Sequence, residues 1–381
     1  MEKVKEIQYK DNLLVCNFEN GAVVLVDEES REKVKDYIRG SENKETQKIK
    51  DTLEEIGFFA PKDLNKQAYL HVTHRCNMDC VDCYSRISNR NQKQDLSFEE
   101  IEKILDLLAH KGYTHLVLSG GEPMLRKDIS QIIQSAKERG FNTVMITNGS
   151  LEVSREILES LDAIAISVDE MEKDTNPLGR KIYKDGISKI IDSAEKWGTE
   201  ISGIVTLNRK NIDHVEKYHT LSKEYRLPIT YSLFYGRGED CEDFIVTDEQ
   251  LLHFTERSFT EFPHTLEGFS PIEEIFCKDN CGAGEKSISV DAEGNLSPCH
   301  MMHDIKLGNL LEDEKETWSS LKDFKCRLDS EVHQCGNCEK VSFCGRGCVA
   351  RSHGSGGTFK KDPYCKLYDT YFEKQFDLLF R

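Results

Sequence analysis

The sequence predicts an α/β protein with an extra unit at each end, and three observations carry that reading. Six short apolar runs recur between residues 68 and 234, helix-like periodicity fills the intervals, and nine of the fourteen cysteines crowd into the last third of the chain. Strands alternating with helices point to a parallel sheet wrapped by helices, curled into a barrel or left open.

Residues 12–27, NLLVCNFENGAVVLVD, are two apolar runs separated by Glu19-Asn20-Gly21. Asn-Gly is a strong hairpin signal, so a two-stranded ribbon is expected to open the chain. Helical stretches follow at 28–38 and 45–56, parted by the breakers Gly40 and Ser41, and the unit closes at GFFAPKD. This predicts a small α+β domain over residues 1–66. Cys16 stands among Leu14, Val15 and Phe18 and reads as a small buried hydrophobe.

The strand candidates are AYLHVT (68–73), HLVLSG (115–120), TVMITN (143–148), AIAISV (163–168), ISGIVTL (201–207) and ITYSLF (229–234). The helix after the first strand opens with Ser97 and Glu100 spaced as a capping box and sets Ile101, Ile104, Leu105 and Leu108 on one face. A middle domain over 67–265 and a C-terminal one over 266–381 complete the division. The last segment, YCKLYDTYFEKQFDLLF, predicts an amphipathic helix packing through Tyr368, Phe372, Phe376 and Leu379.

Composition narrows the function classes. With 68 acidic against 51 basic residues the formal charge is −17, which disfavours nucleic acid and anionic membrane surfaces as partners. The N-terminus has no apolar signal core and no long uncharged apolar run occurs, so a cytoplasmic location is expected. In that reducing setting the cysteines read as metal ligands and not as disulfides.

The chemistry is concentrated in HVTHRCNMDCVDCYS, His71 to Ser85, where Cys76, Cys80 and Cys83 stand as Cys-x3-Cys-x2-Cys. That spacing suits three corners of a 4Fe-4S cluster whose fourth iron stays open, with a zinc knuckle as the alternative. The motif resembles that of the radical SAM superfamily, although Asp82 stands where the family commonly has an aromatic. The resemblance implies a partial (β/α)6 TIM-like barrel, S-adenosyl-L-methionine on the open iron, and a 5'-deoxyadenosyl radical from its reductive cleavage. Gly120-Gly121-Glu122-Pro123 follows the second strand; the glycines would let the backbone approach a ligand, and carbonyls and carboxylate would accept from the SAM ammonium. Thr147-Asn148-Gly149 and Ser167-Val168-Asp169 end the third and fourth strands, where a turn or helix cap competes with a role at the SAM ribose. Arg180 would meet the SAM carboxylate, and Thr206 and Asn208 are expected at the cleft.

The C-terminal cysteines, Cys277, Cys281, Cys299 after Gly294, the run Cys335, Cys338, Cys344 and Cys348, and Cys365, resemble the SPASM extension of radical SAM enzymes, with two zinc sites as the alternative. The resemblance implies two auxiliary 4Fe-4S clusters, one on Cys277, Cys281, Cys299 and Cys348, the other on Cys335, Cys338, Cys344 and Cys365. The Cys277-x3-Cys281 spacing is short compared with some members. Cys241 and Cys326 remain as free thiols. The N-terminal unit resembles, in order and size, the element that captures a leader peptide by strand addition at the front of many peptide-modifying relatives.

Sulfatase-maturing relatives carry an Asp directly after the cysteine of Gly-x4-Cys, whereas this chain has His300, a base or a donor to cluster sulfur. The segment CGAG…GNLSPCH…LGNL looks closer to maturases that install thioether crosslinks. The expected activity is radical modification of a ribosomal precursor peptide held through its leader, with a low-potential donor such as flavodoxin or ferredoxin supplying electrons. Epimerisation, carbon-carbon crosslinking, sulfatase maturation, and a non-enzymatic electron carrier or peptide-binding adaptor are the alternatives.

Overall fold

The computed structural model describes residues 3–60, 66–81, 83–169, 178–179, 183–234, 236, 239–261, 265–266, 274–331, 335–358 and 360–379. In chain order, β1 (Val4–Tyr9), β2 (Asn12–Asn17), β3 (Val23–Val26), α1 (Arg31–Ile38) and α2 (Lys44–Glu55) form the first unit. Then come β4 (Gln67–Thr73), α3 (Phe98–His110), β5 (His115–Gly120), α4 (Ile129–Glu138), β6 (Asn142–Thr147), α5 (Arg155–Ser160) and β7 (Ala163–Ser167). The alternation continues through α6 (Lys184–Trp197), β8 (Glu200–Leu207), α7 (Val215–Tyr225), β9 (Ile229–Leu233), α8 (Asp248–Thr260) and β10 (Thr265–Leu266). The last region holds β11 (Ser287–Val290), β12 (Asn295–Ser297), β13 (Gly308–Asn309), α9 (Glu314–Glu331), α10 (Val341–Cys344), α11 (Val349–Gly354) and α12 (Cys365–Leu379).

All six expected strands form, within one residue at each end, and β4 through β9 lie parallel and in sequence order. The sheet is the open, partial barrel expected. Its full order is β10-β9-β8-β7-β6-β5-β4-β11-β12-β13. The strand β11 pairs parallel to β4, Ser289 opposite Tyr69, so the C-terminal region continues the barrel sheet and crosses the expected domain boundary. Every second residue of β4 faces outward: Ala68, Leu70 and Val72 pack with Ile101, Ile104, Leu105 and Leu108 of α3, all fully buried. The expected capping box closes that helix, with Ser97 Oγ accepting from Glu100 N–H at 3.2 Å and Glu100 accepting from Ser97 N–H at 2.8 Å. The alternate residues Tyr69, His71 and Thr73 therefore face the barrel lumen.

The N-terminal ribbon has three strands, not two. The added strand β1 pairs antiparallel with β2 and was masked in the sequence by the charges that interrupt Val4, Ile7 and Tyr9. The turn at Asn20-Gly21 is fastened to the end of α2 by Asn20 Nδ2, which donates to Phe58 O at 2.9 Å and Ala60 O at 2.8 Å. Strand β2 is buried on both faces. Leu13 and Val15 pack with Val34, Leu53 and Phe58, while Leu14 and Cys16 pack with Phe372 and Phe376 of α12. Tyr9 stacks on Phe376 at 4.0 Å. Tyr368, Phe372 and Phe376 are thus buried as the amphipathic pattern required, and Leu379 is half-buried. No helix among the described residues is long and apolar enough to cross a membrane.

Phe372 is fully buried in the seam between the first unit and α12. Phe372→Ala is expected to cost about 3–5 kcal/mol there, read as a lower thermal midpoint and faster proteolytic release of the first sixty residues.

Candidate functional site

The loop carrying Cys76, Cys80 and Cys83 leaves the C-terminal end of β4, and all three thiols are half-buried. Its path is fixed by backbone contacts with the end of β5. Gly121 N–H donates to Thr73 O at 2.9 Å and Glu122 N–H to Arg75 O at 2.8 Å. A Cβ on Gly120 would stand 2.3 Å from Thr73 O, and one on Gly121 2.1 Å from Arg75 O. The paired glycines therefore admit the backbone of the cysteine loop itself.

Glu122 is fully buried, and its carboxylate is already engaged. One oxygen accepts from Thr147 Oγ1 at 2.9 Å and Met124 N–H at 3.1 Å, the other from Asn148 N–H at 2.8 Å. Burial raises its pKa against the pull of those donors. The side chain is a clamp between the strand ends, and in the turn beyond it Glu122 O accepts from Leu125 N–H at 3.1 Å and Pro123 O from Arg126 N–H at 3.0 Å. Pro123 opens the short 3-10 turn Pro123–Leu125 beyond it. The Asn148 side chain donates to Asn77 Oδ1 at 3.0 Å, and Asn77 donates to Ser150 Oγ at 2.8 Å, tying the cysteine loop to the end of β6.

Asp169 is buried and accepts from Thr206 N–H at 2.5 Å, binding β7 to β8, whereas Ser167 is half-exposed in the lumen. Asn208 is turned inward, its Nδ2 donating to Thr206 O at 3.2 Å, so of the two expected cleft residues only Thr206 keeps a half-exposed position. Arg180 and Asp82 lie outside the described residues.

Sequence reading missed several residues here. Arg90 is buried, donates to Met78 O and lies 3.9 Å from Cys83 Sγ, supplying positive charge to the cysteine loop. Burial pushes the Cys76 thiol up, the Met78 N–H and Arg90 acting against it. More telling is a cluster of rings in the lumen. Tyr84 directly follows Cys83, and His300 directly follows Cys299; their ring centroids are 5.6 Å apart and the planes perpendicular. His300 stacks on Tyr69 at 3.9 Å, Tyr84 reaches Ser119 Oγ at 2.9 Å, and His71 sits 5.9 Å from Tyr84. The alternation 69, 71, 73 along β4 was the signal that would have found Tyr69 and His71. His71 is fully buried and its Nε2 has no hydrogen bond among the described residues. Burial, with His303 and His300 nearby, lowers its pKa to about 3.

The C-terminal cysteines form two neighbourhoods, and no cysteine among the described residues is in a disulfide. Cys335, Cys338 and Cys365 lie within electrostatic reach of one another, and Cys344 adjoins Cys335. Burial pushes Cys344 and Cys348 up to about 11, so these thiols hold their protons until a metal replaces them. Cys299 and Cys348 pack around Ala283 and Met302, with Cys281 close to Cys348. Cys277 is buried against Cys16 and the turn after β2, in a cluster that also holds Phe343 and Cys344, and Lys278 beside it lies against Cys344, Cys281 and Cys348. Cys76 and Cys83 thus lie near one another, as do Cys335, Cys338, Cys344 and Cys365, and Cys281 and Cys299 with Cys348. Thiols grouped in this way fit iron-sulfur ligation, Cys76, Cys80 and Cys83 offering three donors at a strand end. Cys16 is buried as expected, and so is Cys241, while Cys326 is exposed.

Comparison with known proteins agrees with this geometry. Residues 70–222 match the model of the radical SAM superfamily, and residues 281–339 that of SPASM, an iron-sulfur cluster-binding domain. The chain is 26% identical over 336 residues to the AdoMet-dependent heme synthase of Methanosarcina barkeri (strain Fusaro / DSM 804), covering 77% of this chain and 94% of that protein. It is 26% identical over 334 residues to the PqqA peptide cyclase of Rhizobium meliloti (strain 1021), covering 80% and 88%. The crystal structure of Streptococcus suis SuiB bound to precursor peptide SuiA shares the fold, with a TM-score of 0.61 at 13% identity over 96% of this chain and 99% of that one.

Two outcomes follow from the site. Gly121→Ala forces the cysteine loop away from β5 and should remove about four irons per chain, measured by iron analysis after reconstitution. His71 is neutral in the fold because its value drops from 6.5 to about 3. Its contribution is therefore complete above pH 6.5 and is lost as the pH falls toward 3. His71→Gln should flatten that acid limb by up to about 1.4 kcal/mol per pH unit, measured by urea midpoints at pH 7 and pH 5.

Proposed function

We propose that the chain, which belongs to the radical SAM superfamily and carries a SPASM iron-sulfur domain, modifies a precursor peptide within the barrel lumen. The observation that carries this reading is the meeting of Tyr84 and His300 across the lumen, 5.6 Å apart. Tyr84 follows Cys83 and His300 follows Cys299, so a cluster on the first loop and one on Cys299 would border one substrate space. Reductive cleavage of S-adenosylmethionine at the first cluster supplies a 5'-deoxyadenosyl radical when both are bound.

The chain's own residues do the rest. Gly120, Gly121 and Glu122 hold the turn whose carbonyls would receive the SAM ammonium, and Ser167 stands where the ribose is expected. Tyr69, Tyr84 and Ser119 line the substrate space with one hydroxylated wall, and His300 accepts a proton from the substrate. The three-stranded first unit supports a peptide substrate, since a leader can add to a strand edge there. A low-potential flavodoxin or ferredoxin would deliver electrons. The Cys-containing class of peptide, joined through sulfur, follows from the CGAG…GNLSPCH segment. A second reading, haem formation, is favoured by the 94% coverage of the Methanosarcina relative.

Anaerobic incubation of the reconstituted chain with SAM and dithionite should yield 5'-deoxyadenosine and about twelve irons per chain. Iron without SAM cleavage would sink the enzyme reading. Mass spectrometry of the peptide should show a loss of two mass units and a cysteine that no longer alkylates; haem in place of a changed peptide would favour the second reading. His300→Ala should slow peptide modification by about 10²–10⁴-fold while 5'-deoxyadenosine release persists.

A further inference from the structure

Where the end of β4 meets the β11–β12 hairpin, three side chains of metal-ligand type face one space. His74 directly follows β4, Asp291 and Glu293 stand in the turn between β11 and β12, and the parallel pairing of β4 with β11 sets the two ends side by side. One donor atom from each, a ring nitrogen of His74 and a carboxylate oxygen of Asp291 and of Glu293, lies within 4.8 Å of the other two. The histidine separates this group from an ordinary cluster of acids. It is 4% exposed, its Nε2 has no hydrogen bond among the described residues, and that nitrogen faces Glu293 Oε2 at 4.0 Å. A buried nitrogen that has lost its water and found no partner is costly, and buried polar atoms are nearly always met.

The carboxylates already draw a cation to the same place. Lys306 Nζ lies 3.3 Å from Asp291 Oδ2 and 3.6 Å from Glu293 Oε2, and Lys93 Nζ holds the other oxygen of Glu293 at 2.6 Å. Asp291 is fixed in its orientation, since Oδ1 accepts from Glu293 N–H and Asn295 N–H, each at 2.9 Å, and Asn295 Nδ2 donates to both of its oxygens. The Lys306 ammonium therefore balances charge but leaves His74 Nε2 unmet. Its side chain is 49% exposed, so solvent can take the ammonium back at little cost. An ion that accepts nitrogen and oxygen donors together would meet all three side chains.

We propose that His74, Asp291 and Glu293 bind one divalent first-row transition ion, which takes the place of the Lys306 ammonium and ties the start of the cysteine loop to the β11–β12 hairpin. One imidazole with two carboxylates suits Mn²⁺, Fe²⁺ or Zn²⁺, whereas an ion that takes oxygen alone would leave the ring nitrogen idle. Donors about 2.0–2.2 Å from such an ion stand about 3.0–3.5 Å from one another, so binding draws the half-buried Glu293 inward. The site uses none of the cysteines and is independent of which substrate the lumen takes.

The test uses the full-length protein with its iron-sulfur clusters reconstituted, so that the thiols are engaged, then washed with EDTA. It is titrated with Mn²⁺ while the room-temperature EPR signal of the free ion is followed. A single Mn²⁺ per chain should leave solution. His74→Ala and Glu293→Gln should each weaken binding by at least about tenfold, and Lys306→Ala, which removes the competing ammonium, should tighten it. Because Glu293 is half-buried and away from the cysteine loop in sequence, its variant keeps the test decisive where His74→Ala disturbs the loop beside Cys76. Absence of Mn²⁺ binding in both the parent and Lys306→Ala, or binding that both ligand variants leave unchanged, overturns the proposal.

Discussion

The close approach of Gly120 and Gly121 to the backbone of residues 73–75 is the contact on which the rest of the site depends. Two strands can end this near one another only without side chains on the approaching residues, and the hydrogen bonds made there fix where the cysteine loop begins. Glu122 extends the constraint to β6 through its three accepted hydrogen bonds. Removing that carboxylate would strand buried donors at about 1–3 kcal/mol each, which explains why an acid can stay buried without a cationic partner among its hydrogen bonds. Three strand ends are thus held in one register before any cofactor arrives.

Much of this was legible in the sequence because it is local. Alternating apolar runs gave β4 to β9, the Ser97–Glu100 spacing gave the start of α3, and cysteine spacing gave the first loop. What escaped was set by partners remote in sequence. The pairing of β11 with β4 has no local signal, and β1 is a strand because β2 offers it an edge, not because of its own interrupted pattern. The fate of Cys277 is the sharpest case. Resemblance places it among the ligands of one auxiliary cluster; that its thiol also lies against Asn17, 260 residues earlier, is something no count of intervals can foresee. The contacts of Gly121 and Glu122 escaped for a related reason: a motif says which residues stand at a strand end, and only packing says what they touch.

The three regions are joined by apolar burial and sheet pairing more than by charge. Strand β2 lies between its own helices and α12, and Tyr9 stacks on Phe376. The β4–β11 ladder seats the C-terminal region beside the cysteine loop. A salt bridge does cross the same boundary, Lys93 to Glu293 at 2.6 Å, while Lys306 to Asp291 at 3.3 Å lies within the C-terminal region. Both lysines are substantially exposed, so such pairs add about 0–1 kcal/mol each and do not set the geometry.

One buried pair is different in kind. Asp362 accepts from Cys348 N–H at 2.6 Å and from Arg351 at 2.8 Å, and its own carbonyl accepts from Cys365 N–H at 3.0 Å. Arg351 in turn donates to Tyr368 Oη at 2.6 Å. Burying two charges gains little net stability, because desolvation offsets most of their attraction. What the pair supplies is registry. Cys348 stands with Cys281 and Cys299, and Cys365 with Cys335, Cys338 and Cys344, so one aspartate sets the spacing between the two cysteine neighbourhoods. A shift of either backbone would uncover a buried charge, and the two cysteine neighbourhoods are thereby held in register with each other.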